Sequence, residues 1–201
     1  MHEFHGGPGD EEAACRASVE ARFAREFSGP VDRLCRMSHP PAPVTHLLYL
    51  HGFRSSPQSA KAQRMAAWMA SRAPEVTWWC PQLPPSPREA VDRLLQGISR
   101  WPRERLGIVG SSLGGFYATV LGERLGCPTV VLNPAVDPAR DLARHIGETT
   151  QWHSDDTFFF REEYVDELRA MTPGELAVPS RYFAVIATGD EVLDWREMSE
   201  R

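Results

Sequence analysis

The stretch Leu106-Gly107-Ile108-Val109-Gly110-Ser111-Ser112-Leu113-Gly114-Gly115 decides how the rest of the chain is read. Its apolar first half runs as a strand, and the small residues that follow make a tight turn. Gly110-Ser111-Ser112-Leu113-Gly114 fits G-x-S-x-G, the pattern that holds a serine on a strand-to-helix bend. Such a bend needs close backbone approach, which side chains at 110 and 114 would obstruct. Ser112 is then predicted to project from the end of a sheet, above a helix N-terminus. Taken alone, the pattern also fits a serine-glycine turn with no chemistry, because so short a motif recurs by chance.

Outward from this turn, strands and helices alternate. Strands are predicted at 44–50, 76–80, 106–109, 128–132 and 182–187. Ser56-Pro57 reads as a helix start, with Met65, Trp68 and Met69 as the buried stripe of the helix that follows. Ser86-Pro87-Arg88-Glu89 reads as a capping box, ahead of Val91, Leu94, Leu95 and Ile98 at helical spacing. Phe116, Tyr117, Val120 and Leu121 continue the helix after the serine. This alternation predicts an α/β fold with a mostly parallel sheet and helices on both faces. Residues 135–180 break the rhythm with polar and aromatic residues. Short helices are expected there near 138–146 and 160–170, and the segment is read as a small cap over the ligand-binding end. Residues 1–43 stand apart as an N-terminal extension, with Val19, Phe23 and Phe27 on one helical face and a Pro-rich close at His39-Pro40-Pro41-Ala42-Pro43.

Composition narrows the function. One domain is the prior for 201 residues, and a net charge of −5 argues against nucleic acid or an anionic membrane as partner. Lys61 is the single lysine among 22 basic residues, a bias that reads as genomic rather than as a binding surface. The first residues show neither a basic start nor an apolar core, and no run is long enough to span a bilayer. Cys15, Cys35, Cys80 and Cys127 are scattered, which fits reduced thiols, a cytoplasmic location and no metal site.

A serine nucleophile needs an oxyanion hole, an acid and a base. The backbone N–H of Leu113, next after the serine, is one expected donor. Leu48-Tyr49-Leu50-His51-Gly52-Phe53 ends an earlier strand, and the Phe53 N–H is the expected second donor. His51 reads as a brace for that loop rather than as the base, and His51 and Ser111 are both candidates to line the substrate pocket. The acid should follow the serine in sequence. Ala187-Thr188-Gly189-Asp190 places Asp190 just past a strand end; Glu191, Asp194 and Asp137 are the competing carboxylates.

With these residues placed, the chain resembles the YqiA/YcfP-type esterases of the α/β-hydrolase superfamily. The matching blocks are Tyr49 to Pro57, Gly110 to Thr119, Leu132 to Val136 and Thr188 to Asp194, which span 44–201 in the family's order. The resemblance implies a compact, cofactor-free hydrolase domain over 44–201. It would act on small acyl esters, and on thioesters as a second class, through an acyl-enzyme on Ser112 with Asp190 as the acid. The family's base lies in a Gly-Asp-His-like turn after one further strand. The histidines here are 2, 5, 39, 46, 51, 145 and 153, none after Asp190, and the sequence ends eleven residues beyond it. The sequence is therefore expected to be a C-terminally shortened esterase. The alternative is a catalytically impaired hydrolase-like protein with a binding role. His145 and His153 fall in the cap, where a solvated or substrate-facing position is expected.

Overall fold

The computed structural model describes residues 42–150, 157–190 and 192–200. The predicted helical stripe at Val19, Phe23 and Phe27 lies outside the described residues, as do Cys15, Cys35, His2, His5, His39, His153 and Glu191.

Five strands form one sheet: β1 (His46–Leu50), β2 (Thr77–Trp79), β3 (Leu106–Ser111), β4 (Thr129–Leu132) and β7 (Tyr182–Val185). Their order is β2-β1-β3-β4-β7, and every pairing is parallel. The chain leaves β1 toward one edge of the sheet and returns through β3 toward the other. That reversal between β1 and β3 is where an open α/β sheet opens a crevice at the carboxyl ends of its strands.

Side-chain alternation along the central strands builds a core on each face. Leu48, Leu50 and Ile108 pack on one face against Ala90, Val91 and Leu94 of α2 (Pro87–Gly97) and Phe116, Val120 and Leu121 of α3 (Leu113–Leu125). Tyr49 and Val109 point to the other face, where Ala62 of α1 (Ala60–Arg72) covers them. Helices therefore lie on both sides of the sheet, as the alternation implied. α3 is buried nearly all round, which accounts for its run of glycine, alanine and large apolar residues.

The start of α1 differs from the expectation. Ser56 accepts the N–H of Gln58 in the preceding turn, and Ser59 caps the helix by accepting the N–H of Ala62. Trp68 is 56 % exposed, so of the predicted stripe only Met69 is fully buried and Met65 is half-buried. At α2 the predicted cap is present: Ser86 Oγ accepts the Glu89 N–H at 3.2 Å. The return arm of the box is not made, because the Glu89 carboxylate pairs with Arg93 one turn on.

Between β4 and β7 the chain forms α4 (Pro138–Leu142) and a 3₁₀ turn at Ala143–His145. An antiparallel hairpin, β5 (Gly147–Thr150) with β6 (Thr157–Phe160), and then α5 (Glu162–Met171) follow. The helical positions were legible; the hairpin was not, since each of its four-residue strands is defined by its partner. Glu167 of α5 accepts Ser86 Oγ–H at 2.8 Å and Arg88 N–H at 3.0 Å, which ties this segment to the start of α2. A last short helix, α6 (Trp195–Ser199), buries Met198. Among the described residues, no helix is long and apolar enough to cross a membrane.

Candidate active site

Ser112 sits between the end of β3 and the first residue of α3 with φ 55° and ψ −123°. A non-glycine residue in this region is strained by about 1–3 kcal/mol and stays there only when its surroundings enforce it. The surroundings do so here. A Cβ at 110 would overlap the Gly114 carbonyl, and one at 114 would overlap the carbonyls of Leu50 and His51. The bend is also pinned by its own backbone: the Ser112 N–H reaches the Leu132 carbonyl at 3.0 Å, and its carbonyl accepts from Gly115 and Ala135. Gly52 is packed directly against the Ser112 side chain.

The two expected oxyanion donors are both available. Among the described residues, no acceptor takes the N–H of Phe53 or of Leu113. Phe53 follows Gly52 at the carboxyl end of β1 and Leu113 opens α3, so the donors come from the two strands that flank the crevice.

His51 is buried, and both ring nitrogens face the backbone. Nδ1–H donates to the Gly52 carbonyl at 3.0 Å, and Nε2 accepts the Leu83 N–H at 3.2 Å. Burial pushes its pKa below the usual histidine value, with backbone bonds at Gly52 and Pro81 acting weakly the other way. It is a neutral brace that holds the Gly52–Phe53 turn against the Gln82–Pro85 loop, and it borders a small cleft with Phe53, Leu113 and Tyr117. Ser111, the other pocket candidate, is buried and is not among the residues that line the Ser112 cavity. Its Oγ accepts from Lys61 Nζ at 2.9 Å, on the opposite side of the strand from Ser112.

Asp190 joins Ser112 in one cavity of about 290 Å³, floored by Leu113, Ala135, Leu142 and Leu193. Its carboxylate is held in place by three donors. Oδ1 accepts the N–H groups of Val192 at 2.9 Å and Leu193 at 3.0 Å, and Oδ2 accepts from Asn133 Nδ2 at 2.6 Å. Burial alone would raise the Asp190 pKa; these hydrogen bonds and the Lys61 charge outweigh it and hold the carboxyl below the usual range. The competing carboxylates are occupied elsewhere. Asp137 caps α4 by accepting Arg140 N–H, and Asp194 caps α6 by accepting Arg196 N–H.

Two supporting residues were not singled out from sequence. Asn133, at φ 42°, follows β4 and bridges it to the acid turn: its Oδ1 accepts the Ala187 N–H at 2.8 Å while its amide holds Asp190. An asparagine directly after a strand end, in a chain short of turn glycine there, is the available signal. Lys61, set aside with the arginines as compositional bias, supports the back of the nucleophile turn through Ser111.

Three histidines are described. His46 opens β1 at the end of the sheet remote from Ser112, with its ring on Trp101. His51 is the brace. His145 lines the Ser112 cavity with its ring 5.4 Å from that of Phe53. Among the described residues, no group of His, Cys, Asp and Glu is arranged to hold a metal ion.

Comparison with known proteins identifies the family and the fold. Residues 46–201 match the family described as "Uncharacterised protein family (UPF0227)", the family of the YqiA/YcfP-type proteins, and the chain belongs to it. Among solved structures, mouse alpha/beta hydrolase domain-containing protein 10 is similar at a TM-score of 0.58. It is 13% identical, over 78% of this chain and 75% of that one. Ferulic acid-bound Est1E from Butyrivibrio proteoclasticus is similar at 0.56, with 10% identity over 81% and 76%. The esterase domain of a Rhodothermus marinus protein follows at 0.54, with 14% identity over 85% and 72%. The fold is that of the α/β-hydrolases.

Proposed function

We propose that this chain is a serine hydrolase of carboxylic esters. The observation that carries the reading is Ser112 at φ 55° on the crevice edge, with the N–H groups of Phe53 and Leu113 unclaimed among the described residues and Asp190 in the same cavity. Ser112 Oγ attacks the ester carbonyl and its proton passes to an imidazole. The carbonyl oxygen becomes an oxyanion held by the two backbone N–H groups, each donor worth about 3 kcal/mol of barrier. Collapse expels the alcohol, which takes that proton, and water then releases the acid by the same steps in reverse order. Asp190 orients and stabilises the imidazolium; its Oδ2, bonded once, retains an acceptor site for a ring N–H. Among the described histidines, His145 is the one in that cavity. Thioesters are a second substrate class for the same chemistry.

A second reading is a ligand-binding protein that uses the same pocket. Its support is that the three donors to Asp190 come from its own turn's backbone and from Asn133, with no imidazole among them. A fluorophosphonate probe separates the two. Covalent labelling of the folded chain that is absent in Ser112→Ala is the expected result. No labelling of the folded chain overturns the enzyme reading and favours the binding one.

A further inference from the structure

We propose that Lys61 is a positioning residue of the Ser112 site, acting on the nucleophile turn through Ser111 and on Asp190 through its charge. This deepens the esterase reading and rests on it for the role of Ser112, though the geometry around Lys61 is independent of that role.

Lys61 is the second residue of α1, which is a poor place for a cation. The first turn of a helix presents bare N–H groups and the positive end of the dipole, and no acidic residue in that turn offsets them. A residue that breaks a local rule is expected where a distant contact requires it. Here the contact is 50 residues away: Lys61 Nζ donates to Ser111 Oγ at 2.9 Å. Lys61 is exposed and Ser111 buried, so the side chain reaches from the surface of α1 to a hydroxyl inside the fold. The other basic residues of the chain are all arginine. A compact ammonium suits a single hydroxyl acceptor, whereas a planar guanidinium fork does not.

Ser111 connects both halves of the site. Along the chain it precedes Ser112. Across the sheet it pairs with Leu132, whose carbonyl takes the Ser112 N–H and whose next residue, Asn133, holds Asp190. The Lys61 hydrogen bond therefore ends one residue from the serine and one strand from the brace of the acid. Its charge reaches the acid as well. Burial pushes the Asp190 carboxyl up; the hydrogen bonds from Leu193, Val192 and Asn133, and then the Lys61 charge, act against it.

The test compares wild type with Lys61→Met, Lys61→Arg, Ser111→Ala and the Lys61→Met/Ser111→Ala double variant. Three quantities are read on the folded proteins: the rate at which a fluorophosphonate labels Ser112, the NMR titration of the Asp190 carboxyl, and hydrogen exchange of the Ser112 N–H. Lys61→Met is expected to label about five-fold more slowly, the size of one partly exposed charged contact. In that variant Asp190 should titrate at higher pH and the Ser112 N–H should exchange faster. Lys61→Arg should restore the Asp190 titration, because it keeps the charge, and recover only part of the labelling rate. The double variant should label no more slowly than the slower single variant, since both remove the same contact. A lysine that serves stability alone would lower the unfolding midpoint and leave the labelling rate and the Asp190 titration at their wild-type values; that result overturns the proposal. So do losses that add fully in the double variant. A folded wild-type chain that is never labelled overturns the esterase reading instead. Lys61→Met then still decides the proposal: a raised Asp190 titration with faster Ser112 N–H exchange sustains it, and no change in either overturns it.

Discussion

Asn133 is the residue whose removal most directly tests how the acid is held. Its side chain links three parts of the molecule: the end of β4, the Asp190 carboxylate at 2.6 Å and the Ala187 N–H at 2.8 Å. A hydrogen bond to a charged partner contributes about 1.5–3 kcal/mol, and a neutral one about 1. Both are partly solvated here, so the lower values apply, about 1.5 for Asp190 and about 0.5 for Ala187. The backbone adds a further penalty: at φ 42° asparagine is tolerated, whereas alanine costs about 1 kcal/mol more. Asn133→Ala is therefore expected to destabilise the chain by about 3 kcal/mol and Asn133→Gly by about 2, because glycine escapes the backbone term.

Urea unfolding at pH 7 measures both, and the difference between the variants isolates the left-handed backbone from the lost bonds. A second readout comes from Asp190. Losing one donor while burial persists must raise its pKa toward or above the ordinary value of about 3.9. Asn133→Asp is the sharper perturbation, since it sets a carboxylate against Asp190 Oδ2. That variant should be far less stable than wild type at pH 7 and recover part of the loss near pH 4, as protonation removes the repulsion. If Asn133→Ala costs under about 0.5 kcal/mol, or leaves the Asp190 titration where it was, Asn133 does not brace the acid.

Other variants probe the remaining parts. Ser112→Gly should stabilise the chain by about 1 kcal/mol in thermal or urea unfolding by relieving the φ 55° backbone, whereas Ser112→Ala should leave the strain in place. Gly114→Ala drives a methyl into the Leu50 carbonyl; a loss of more than about 2 kcal/mol, or failure to accumulate as folded protein, is expected. On acidification, stability should fall in two steps. His51 has its pKa depressed by burial, so the unfolded state takes up protons first, and stability declines as pH drops below about 6.5 toward the folded value. His51→Gln removes part of that step; His145, depressed by burial and by its arginines, contributes the rest. Asp190 stabilises the fold above its unfolded pKa of about 3.9, and that contribution is lost as pH falls through its lower folded value, a step absent in Asp190→Asn.

The parts of the site that sequence made legible are those whose geometry closes within a few residues. The nucleophile turn is one: the glycines at 110 and 114, the serine and the apolar approach are contiguous, and the strain at Ser112 follows from them alone. The Phe53 and Leu113 N–H groups, the proposed oxyanion donors, are another, because each is fixed by its position after a strand end. Ser111 meets Lys61 rather than the Ser112 cavity for the same local reason, that successive strand residues face opposite ways. Trp68 failed for a tertiary one. Its helical spacing matched a buried stripe, yet Ala62 and Met65 are the α1 residues that pack with Tyr49 and Val109, and Trp68 is left 56 % exposed. The β5–β6 hairpin was illegible because neither short strand has meaning without the other.

The acid shows how structure adds to a choice that sequence makes on position alone. The sequence favours Asp190, just past a strand end, over Asp137 after the preceding strand and over Asp194 close by. What divides them is where their oxygens are spent. Asp137 and Asp194 are consumed by the N-termini of the helices they begin, a role any aspartate in that position performs. Asp190 begins no helix of that kind. Its Oδ1 is anchored by the turn it belongs to, which fixes the carboxyl plane, and its Oδ2 is drawn sideways to an asparagine from the neighbouring strand, 57 residues earlier. A carboxylate held from two directions beside a strained serine is kept charged and kept in place. A helix cap has no such need, and on the proposed esterase reading that difference makes Asp190 the group for an imidazole to approach.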